Sequence, residues 1–266
     1  MNRDDLKQLF EQLGVRGNQV VVHASLSSFG NVDGGAATVC HALLDVLGTG
    51  TVLMPAFTYA ETLIGLHPGR TVAFHPDLPV SREIGAVAEA FRRVPGVLRS
   101  THPTHSFAAY GRQARDLLST QRDNNVLGPL KKLNIAQGHV LLLGTSLHAV
   151  TAIHLAEERL QVPYLQRRSA IRLNSAGYEE RVVLENVPGC SIAFDRLEER
   201  LDPSKVISAP LANGRARKFS VRYVITLAAQ ALEADPYVFV CERAECASCA
   251  AKRDALGATR RAGTRS

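Results

Sequence analysis

The sequence predicts an α/β fold, a mixed sheet flanked by helices, with a smaller α+β extension. Two patterns support this prediction. Short apolar runs typical of buried strands alternate with segments of helical periodicity through the first 162 residues, which indicates a sheet covered on both faces. After Pro163, strand-like segments flank an Asn/Gly turn, as in a β-hairpin. The length of 266 residues and the hydrophobic content of 45% suffice for a substantial core.

The elements of the first half follow one another in strand–helix order. Its short apolar runs predict strands at 20–24, 50–55, 107–110 and 140–143. Its helical periodicities predict helices at 36–47, 84–91 and 149–160, after an N-terminal helix marked by Leu6, Leu9, Phe10 and Leu13. We assign residues 1–162 to an α/β core.

The second half has a different order of elements. It predicts a hairpin of 170–173 with 181–184, then a helix at 194–201, a strand at 219–223, a helix at 224–233 and a strand at 237–240. We assign residues 163–250 to an α+β extension packed on the core. Residues 251–266 are rich in lysine and arginine, and we expect them to form a solvated, disordered tail.

Charge and composition limit the class of partner. The net charge of +6 is partly local to the tail, and the remaining excess suits an anionic ligand such as a nucleotide. The sequence has no tryptophan and no basic stripe interleaved with aromatic residues, so nucleic acid is not a predicted partner. It also has no apolar run long enough to cross a bilayer, and its start lacks the layout of a signal peptide. We therefore expect a cytoplasmic protein with no membrane partner.

A histidine and a glutamate one helical turn apart form the first candidate catalytic group. His154 and Glu157 follow the apolar run at 140–143 and lie on one face of the predicted helix. A carboxylate beside an imidazole fixes its tautomer and raises its basicity, which suits a general base near neutral pH. The same spacing is also typical of a surface pair, so the motif by itself leaves both readings open.

A serine-rich loop follows the first predicted strand and precedes a helix. Its candidate phosphate-binding residues are Ser25, Leu26, Ser27 and Ser28. Backbone N–H groups, hydroxyls and a helix start in this order form a cradle for an anion. The loop matches neither a P-loop nor the GxGxxG fingerprint. The alternative is that the small residues only turn the chain and that Asp33 caps the helix.

A second polar segment surrounds Pro103. Its candidate ligand-binding residues are Arg99, Ser100, His102 and Ser106. Proline biases the residue before it toward an extended conformation, so we expect a loop. The concentration of cationic and hydroxyl side chains suits phosphate binding or the lining of a pocket. The alternative is a polar surface loop.

Taken in order, these segments resemble the aminoglycoside N3-acetyltransferases, the antibiotic N-acetyltransferase family. The resemblance rests on HASLSSFG at 23–30, GTVLMP at 50–55, RSTHP at 99–103, SFAAYG at 106–111, and LLLG at 141–144 followed by TAIHLAE at 151–157. It covers most of the chain from about residue 5 to residue 250. Five segments in the same order are far more specific than any one of them.

The resemblance implies a fold particular to that family and a transfer of acetyl from acetyl-CoA to the 3-amino group of an aminoglycoside. It implies that His154 is the general base, that Glu157 supports it, and that the serine loop with the segment around Pro103 binds CoA. The transfer is direct, and no Gly-x-Ser-x-Gly elbow points to a serine nucleophile instead. The alternatives are CoA-dependent acylation of another amine, and a non-catalytic protein that binds CoA or zinc.

One loop departs from the family pattern. His148 stands where relatives often carry an acid, just before the histidine motif, although aminoglycosides are polycations. We therefore expect His148 to influence substrate choice. The other candidates for contact with a cationic sugar are Tyr59, Glu61, Asp77 and Glu185. Each of these acids also reads as a solvated surface residue, and Tyr59 as ordinary core.

Four of the five cysteines form a candidate metal site. Its predicted ligands are Cys190, Cys241, Cys246 and Cys249, which include a C-x-x-C pair typical of structural zinc. The apramycin-active type of the resembled family has a similar C-terminal C-x-x-C and a cysteine after the hairpin. The alternative is free thiols, since disulfides are rare in a reducing compartment. Cys40 lies within a predicted helix and reads as a small buried hydrophobe.

Overall fold

A mixed β-sheet with helices on both faces forms the centre of the molecule. The structure is a computed structural model, and it describes residues 1–65, 69 and 71–263. The strands of this sheet in these residues are β1 (Gln19–Ala24), β2 (Thr51–Pro55), β3 (Leu98–Arg99), β4 (Phe107–Gly111), β5 (His139–Leu143), β8 (Ile207–Leu211) and β9 (Gly214–Ser220). A separate hairpin consists of β6 (Gln166–Leu173) and β7 (Glu179–Val187). The predicted fold class is confirmed.

The described strands of the sheet lie in the order β3-β4-β2-β1-β5-β9-β8. β1 runs parallel to β2 and β5, while β4, β9 and the two edge strands pair antiparallel. Parallel strands are usually buried on both faces, and alternate residues of the central strands enter different cores. Val20 and Val22 of β1 lie in one hydrophobic cluster, and Val21 lies in the other.

Two layers of helices cover these two faces. The described helices are α1 (Arg3–Gln12), α2 (Gly35–Leu47), α3 (Tyr59–Thr62), α4 (Ala86–Arg92), α5 (Ala114–Leu118), α6 (Gly128–Ile135), α7 (His154–Arg159), α8 (Val221–Ala234) and α9 (Ala247–Gly263). Helices α1, α2 and α4 supply one core, and α5 to α8 supply the other. Among the described helices, none has both the length and the apolar character required to cross a membrane.

Several element boundaries differ from those predicted. Two 3₁₀ turns, Leu147–Ala149 and Thr151–Ile153, replace the start of the helix predicted at 149–160, so the α-helix begins at His154. Helix α8 begins at Val221, so the strand predicted at 219–223 ends at Ser220, and it begins earlier than predicted, at Gly214. The helix predicted at 194–201 is a 3₁₀ helix, Ile192–Arg200.

The strand predicted at 237–240 is wrong, because residues 237–239 form turns and none of the four lies in a strand. Their apolar side chains are buried, with Phe239 only 1% exposed. Burial alone produces the same apolar pattern in a strand and in an irregular segment, so periodicity could not separate the two.

The second half of the chain completes the main sheet. Strand β9 pairs with β5 along five residues, so the boundary drawn at residue 162 crosses a continuous sheet. Only the hairpin β6–β7 forms its own two-stranded sheet in the described part of the chain.

The predicted disordered tail is wrong for the residues that the structure describes, since 251–263 belong to α9. The prediction assumed that a segment with this many lysine and arginine residues is solvated. Lys252, however, is buried and only 1% exposed. Residues 264–266, the end of that predicted tail, lie outside the described residues.

Candidate active site

A cavity of about 730 Å³ lies where the parallel strands β1 and β2 end. Ala24, Ser25 and Leu26 line it at the end of β1, and Pro55 lines it at the end of β2. Thr145, which follows β5, lies on the same wall. Ligands of open α/β sheets bind at the carboxyl ends of the strands, and this volume is typical of small-molecule sites.

His154 lines this cavity and is held from behind by Glu157. Nδ1 of His154 lies 2.6 Å from Oε2 of Glu157, and both residues are buried. The imidazole also packs edge-on against Phe194, with ring centroids 4.7 Å apart. Because Glu157 engages Nδ1, Nε2 is the ring nitrogen left for a ligand. The sequence-predicted pair is therefore a buried dyad at a cavity and not a surface pair.

A close contact between two loops places His154 at the cavity. Gly144, directly after β5, has a φ of +69°, and a Cβ at this position would lie 2.0 Å from the Cβ of Ser28. The hydroxyl of Ser28 donates to the carbonyl of Gly144 over 2.6 Å. Glycine is required by both the left-handed φ and the close approach. The contact joins the serine loop to the segment that leads into α7.

Lys252 completes the group behind the imidazole, and sequence reasoning missed it. Its Nζ donates to Oε1 of Glu157 over 2.9 Å, and Glu157 is 0% exposed. Burial acts to raise the pKa of Glu157, but His154 and then Lys252 outweigh it and hold the pKa below its ordinary value. The carboxylate is therefore ionised between two cationic or proton-donating partners. No signal in the lysine- and arginine-rich segment distinguishes this residue from its neighbours.

The serine loop contributes unequally to the cavity. Ser25 and Leu26 line it, and the hydroxyl of Ser25 lies 3.0 Å from that of exposed Ser27. Ser28 is buried and its hydroxyl is bonded to Gly144, as described above. Of the Ser25 and Ser27 hydroxyls, one donates to the other, so the pair keeps one hydrogen-bond donor at the edge of the cavity. The hydroxyl of Ser28 is used within the protein, so Ser28 has a structural role.

The segment around Pro103 does not reach the cavity at the predicted residues. The guanidinium of Arg99 donates to the carbonyls of Ala56, Pro76 and Leu78 and to the hydroxyl of Ser106. Ser106 in turn donates to Ala56 over 2.7 Å. These polar atoms stabilise the fold. Arg99 and Ser106 lie close in the sequence, and they hydrogen-bond to each other and to nearby backbone carbonyls. The expected contacts of Arg99 and Ser106 with CoA are therefore not supported.

The other two predicted residues of this segment have similar roles. Ser100 donates to the side chain of Gln121 over 2.5 Å and accepts from the backbone of Phe107. Nδ1 of His102 accepts from the backbone of His105, and burial lowers the pKa of His102 to about 3. With Arg99, both line a different cavity of about 540 Å³. The structure therefore separates them from His154.

An aromatic wall faces the dyad. Tyr59 and His105 line the cavity, and their rings stack with centroids 5.8 Å apart. Burial holds the pKa of His105 well below its usual range, with smaller contributions from His102 and His154. Burial likewise raises the pKa of Tyr59, with a further contribution from Glu83. Tyr59 thus lines the cavity, as the sequence predicted, whereas His105 was not predicted to line it.

The acids predicted for a cationic ligand lie elsewhere. Glu61 accepts a hydrogen bond of 2.6 Å from Ser81 and does not line the cavity. Asp77 and Glu185 are exposed outside it, and Glu185 lies 4.0 Å from Arg167. Among the described residues, the acid that lines the cavity is Glu83, which sequence reasoning missed.

His148 lines the cavity, as expected of a residue that influences substrate choice. Its Nδ1 lies 2.6 Å from the hydroxyl of Ser146 and 3.5 Å from Oδ2 of Asp195. The backbone N–H of His148 also donates to Asp195 over 2.7 Å. A carboxylate therefore does stand beside this loop, but it comes from a residue 47 positions further along the chain.

The four predicted metal ligands converge. The Sγ atoms of Cys190, Cys241, Cys246 and Cys249 all lie within 4.8 Å of one another. Tetrahedral zinc with Zn–S bonds of about 2.3 Å places its sulfurs about 3.8 Å apart, so this donor set fits the ion. The backbone N–H of Cys241 points at Sγ of Cys249 over 3.2 Å, as suits a thiolate.

This cysteine cluster, formed by residues 190, 241, 246 and 249, adjoins the cavity. Cys190 lines the cavity together with Ser248. The hydroxyl of Ser248 accepts from the backbone of Cys190 over 3.0 Å. Helix α9 begins within the cluster and carries Lys252 one turn after Cys249. The cluster thus ties α9 to the hairpin side of the cavity.

The chain is similar in sequence to known proteins of one family. The family model for aminoglycoside 3-N-acetyltransferases matches residues 21–233. The chain is 35% identical over 185 residues to the SPbeta prophage-derived aminoglycoside N(3')-acetyltransferase-like protein YokD of Bacillus subtilis, which covers 63% of this chain and 67% of that protein. It is 32% identical over 237 residues to aminoglycoside N(3)-acetyltransferase IV of Salmonella sp, which covers 86% of each.

A solved structure is also similar over nearly the whole chain. The crystal structure of aminoglycoside acetyltransferase AAC(3)-IVa, a histidine-to-alanine mutant in complex with a gentamicin, has a TM-score of 0.80. Its sequence identity is 30%, and the match covers 96% of this chain and 97% of that chain. The similarity therefore extends well beyond the central sheet.

Proposed function

This chain belongs to the aminoglycoside 3-N-acetyltransferase family, and we propose that it transfers the acetyl group of acetyl-CoA to the 3-amino group of an aminoglycoside. The pairing of buried His154 with Glu157 at the cavity is the observation that carries the proposal. A neutral amine that attacks a thioester must lose a proton as the C–N bond forms, and a histidine held in one tautomer beside a ligand-sized cavity can accept that proton.

The proposed reaction is a direct transfer. The amine nitrogen attacks the thioester carbonyl carbon, and Nε2 of His154 accepts the proton that the amine loses. Glu157 stabilises the resulting imidazolium through Nδ1. Collapse of the tetrahedral intermediate breaks the C–S bond, forms the amide, and releases a thiolate that takes the proton from His154. One proton therefore passes from amine to thiol, and no enzyme nucleophile is consumed.

The donor and acceptor substrates need different sides of the cavity. The paired hydroxyls of Ser25 and Ser27 offer one free donor at the end of β1, which suits the oxygen-rich CoA chain, and Leu26 lies between them. On the acceptor side, Glu83 supplies negative charge toward a polycationic sugar, and Tyr59 supplies an aromatic face. The gentamicin bound by the similar AAC(3)-IVa is such a polycation.

The cysteine cluster is proposed to hold one structural zinc ion. Zinc on four thiolates has no open coordination position, so its role is to stabilise α9 and the segment that follows the hairpin. The convergence of four Sγ atoms supports this assignment over free thiols. Unoxidised thiols and a supply of acetyl-CoA both fit the expected cytoplasmic location.

An acetyl-transfer assay tests the function. Purified protein is incubated with acetyl-CoA and gentamicin-type, neomycin-type or apramycin-type aminoglycosides, and thiol release is measured with mass detection of the product. We expect a mass increase of one acetyl group, at the 3-amino position by NMR, with at least one of the three. Turnover only with other amines would support the broader acyltransferase, and CoA binding without any transfer would overturn the proposal.

A further inference from the structure

We propose that Lys252 is a positioning residue of the active site, which holds Glu157 in place so that Glu157 orients the base His154. The inference rests on the proposed function for its catalytic meaning. Lys252 does not line the cavity and acts through Glu157. The charged residues around Lys252 in the sequence predict a solvated position, yet its side chain is only 1% exposed.

The ammonium group of Lys252 is fully used inside the protein. Its Nζ donates to Oε1 of Glu157 over 2.9 Å, to the carbonyl of Cys190 over 3.1 Å and to the carbonyl of Phe239 over 3.3 Å. The ring of Tyr164 lies below it, 4.8 Å from Nζ to the centroid. An ammonium has three donors and all three have acceptors. It therefore has no donor left for a substrate.

The two oxygens of Glu157 are divided between two partners. Oε2 faces Nδ1 of His154, and Oε1 accepts from Lys252. Without Lys252, Oε1 would lose its charged donor in a site closed to water. A buried carboxylate with no cationic partner either takes up a proton or rotates toward another donor. Either change would loosen the hold of Glu157 on the imidazole and disturb its orientation.

The remaining groups around the dyad cannot replace this lysine. Tyr164 faces Glu157, and burial raises the pKa of its hydroxyl, so it stays neutral. His105 lines the same cavity as His154, and burial lowers its pKa and keeps it neutral as well. Among the described residues that contact Glu157, Lys252 is the one that carries an ammonium group. The carboxylate therefore depends on it for charge compensation.

The cysteine cluster explains how a residue near the end of the chain reaches this position. Cys249 precedes Lys252 by one helical turn, and the carbonyl of Cys190 accepts from Nζ. Fixing Cys249 against Cys190 and Cys241 therefore fixes the start of α9 and the direction of the lysine. On this view the cluster serves the active site through Lys252, as well as stabilising the fold.

A neighbouring ion pair provides a matched control. Glu158, the residue after Glu157 on α7, pairs with Lys131, and their side chains are 23% and 40% exposed. Lys131→Met removes the same type of contact from the same helix at a partly exposed site. Surface ion pairs contribute little to stability, so we expect this variant to keep wild-type turnover and pH dependence.

The test compares Lys252→Met with this control. Removal of a cation within hydrogen-bond distance raises the proton affinity of the His154–Glu157 pair. We expect kcat to fall at least tenfold and the acidic limb of the kcat/KM profile to move to higher pH by about 1 unit. A purely structural role for Lys252 would lower kcat and leave the pH profile in place, and that result would overturn the proposal.

A double-mutant cycle guards against simple misfolding. If Lys252 acts through Glu157, then adding Lys252→Met to Glu157→Gln should change kcat less than twofold. The double variant should also be more stable in urea than either single variant, because it leaves no unpaired buried charge. Additive losses in both measurements would contradict the proposal.

A readout without substrate separates this inference from the proposed function. The ring protons of His154 are titrated by NMR in the wild type and in Lys252→Met. We expect the His154 titration midpoint to rise in the variant, whichever amine the enzyme accepts. An unmoved midpoint would overturn the positioning role, whereas absent acetyl transfer by the wild type would overturn only the function.

Discussion

Nζ of Lys252 lies 2.9 Å from Oε1 of Glu157, which joins two buried residues that are 95 positions apart in the chain. Glu157 in turn lies three residues from His154 on helix α7. The candidate base thus depends on a local contact set by helix geometry and on a long-range contact set by the docking of α9. The local contact can be predicted from the sequence, whereas the long-range contact cannot.

His154→Ala should abolish most of the proposed activity. Loss of a general base lowers turnover by roughly 10³-fold, while the fold keeps its sheet and both cores. The measurement is kcat for acetyl transfer, with circular dichroism to confirm folding. His41→Ala is the control, since His41 is an exposed histidine on α2 outside the cavity. A His154→Ala variant with near-normal turnover would remove the proposed role.

Glu83→Gln should weaken binding of the acceptor and spare the donor. Loss of a charge-assisted contact costs about 1.5 kcal/mol, so the KM for the aminoglycoside should rise about tenfold. The KM for acetyl-CoA should stay unchanged. Asp77→Asn removes an equal charge from an exposed site outside the cavity and should affect neither constant. Equal effects of the two substitutions would point to general electrostatics instead.

Cys246→Ser should release the proposed zinc and destabilise α9. Three remaining thiolates hold the ion poorly, and the folding free energy that the metal supplies is then lost. Elemental analysis should give about one zinc per chain for the wild type and below about 0.2 for the variant. The urea midpoint should fall in parallel. Cys40→Ala, in the buried face of α2, should keep its zinc, and a metal-free wild type would refute the site.

Mild acid should destabilise the fold through its buried histidines. Burial, with a smaller contribution from His148, lowers the pKa of His23 to about 3, and burial also lowers the pKa of His102 to about 3. The pKa of His105 is likewise well below 6.5, mainly through burial. Between these values and about 6.5, the unfolded chain binds more protons, so stability is lost as the pH falls below about 6.5.

The measurement for this prediction is the free energy of unfolding in urea at several pH values. Three such histidines give a slope of up to about 4 kcal/mol per pH unit between pH 6 and 5. His102→Asn removes one of the three groups and should make the slope shallower by about a third. A flat profile over this range would show that these histidines are not buried and neutral.

The sequence by itself determined the central strands and the dyad. Burial on both faces makes β1, β2 and β5 mostly apolar, and this pattern is visible without any partner strand. His154 and Glu157 also follow from the sequence, because residues one turn apart on a helix meet wherever that helix lies. Such local contacts depend only on backbone geometry.

Only the tertiary structure decided which charged side chains are buried and which groups they contact. Arg99 reads as a phosphate ligand, but the carbonyls of Ala56, Pro76 and Leu78 surround its guanidinium. Lys252 reads as part of a solvated tail, but α9 brings it to Glu157. The same cation is solvated or buried according to the acceptors that other elements deliver to it. Those acceptors come from distant segments, and only the packing of the whole chain brings them together.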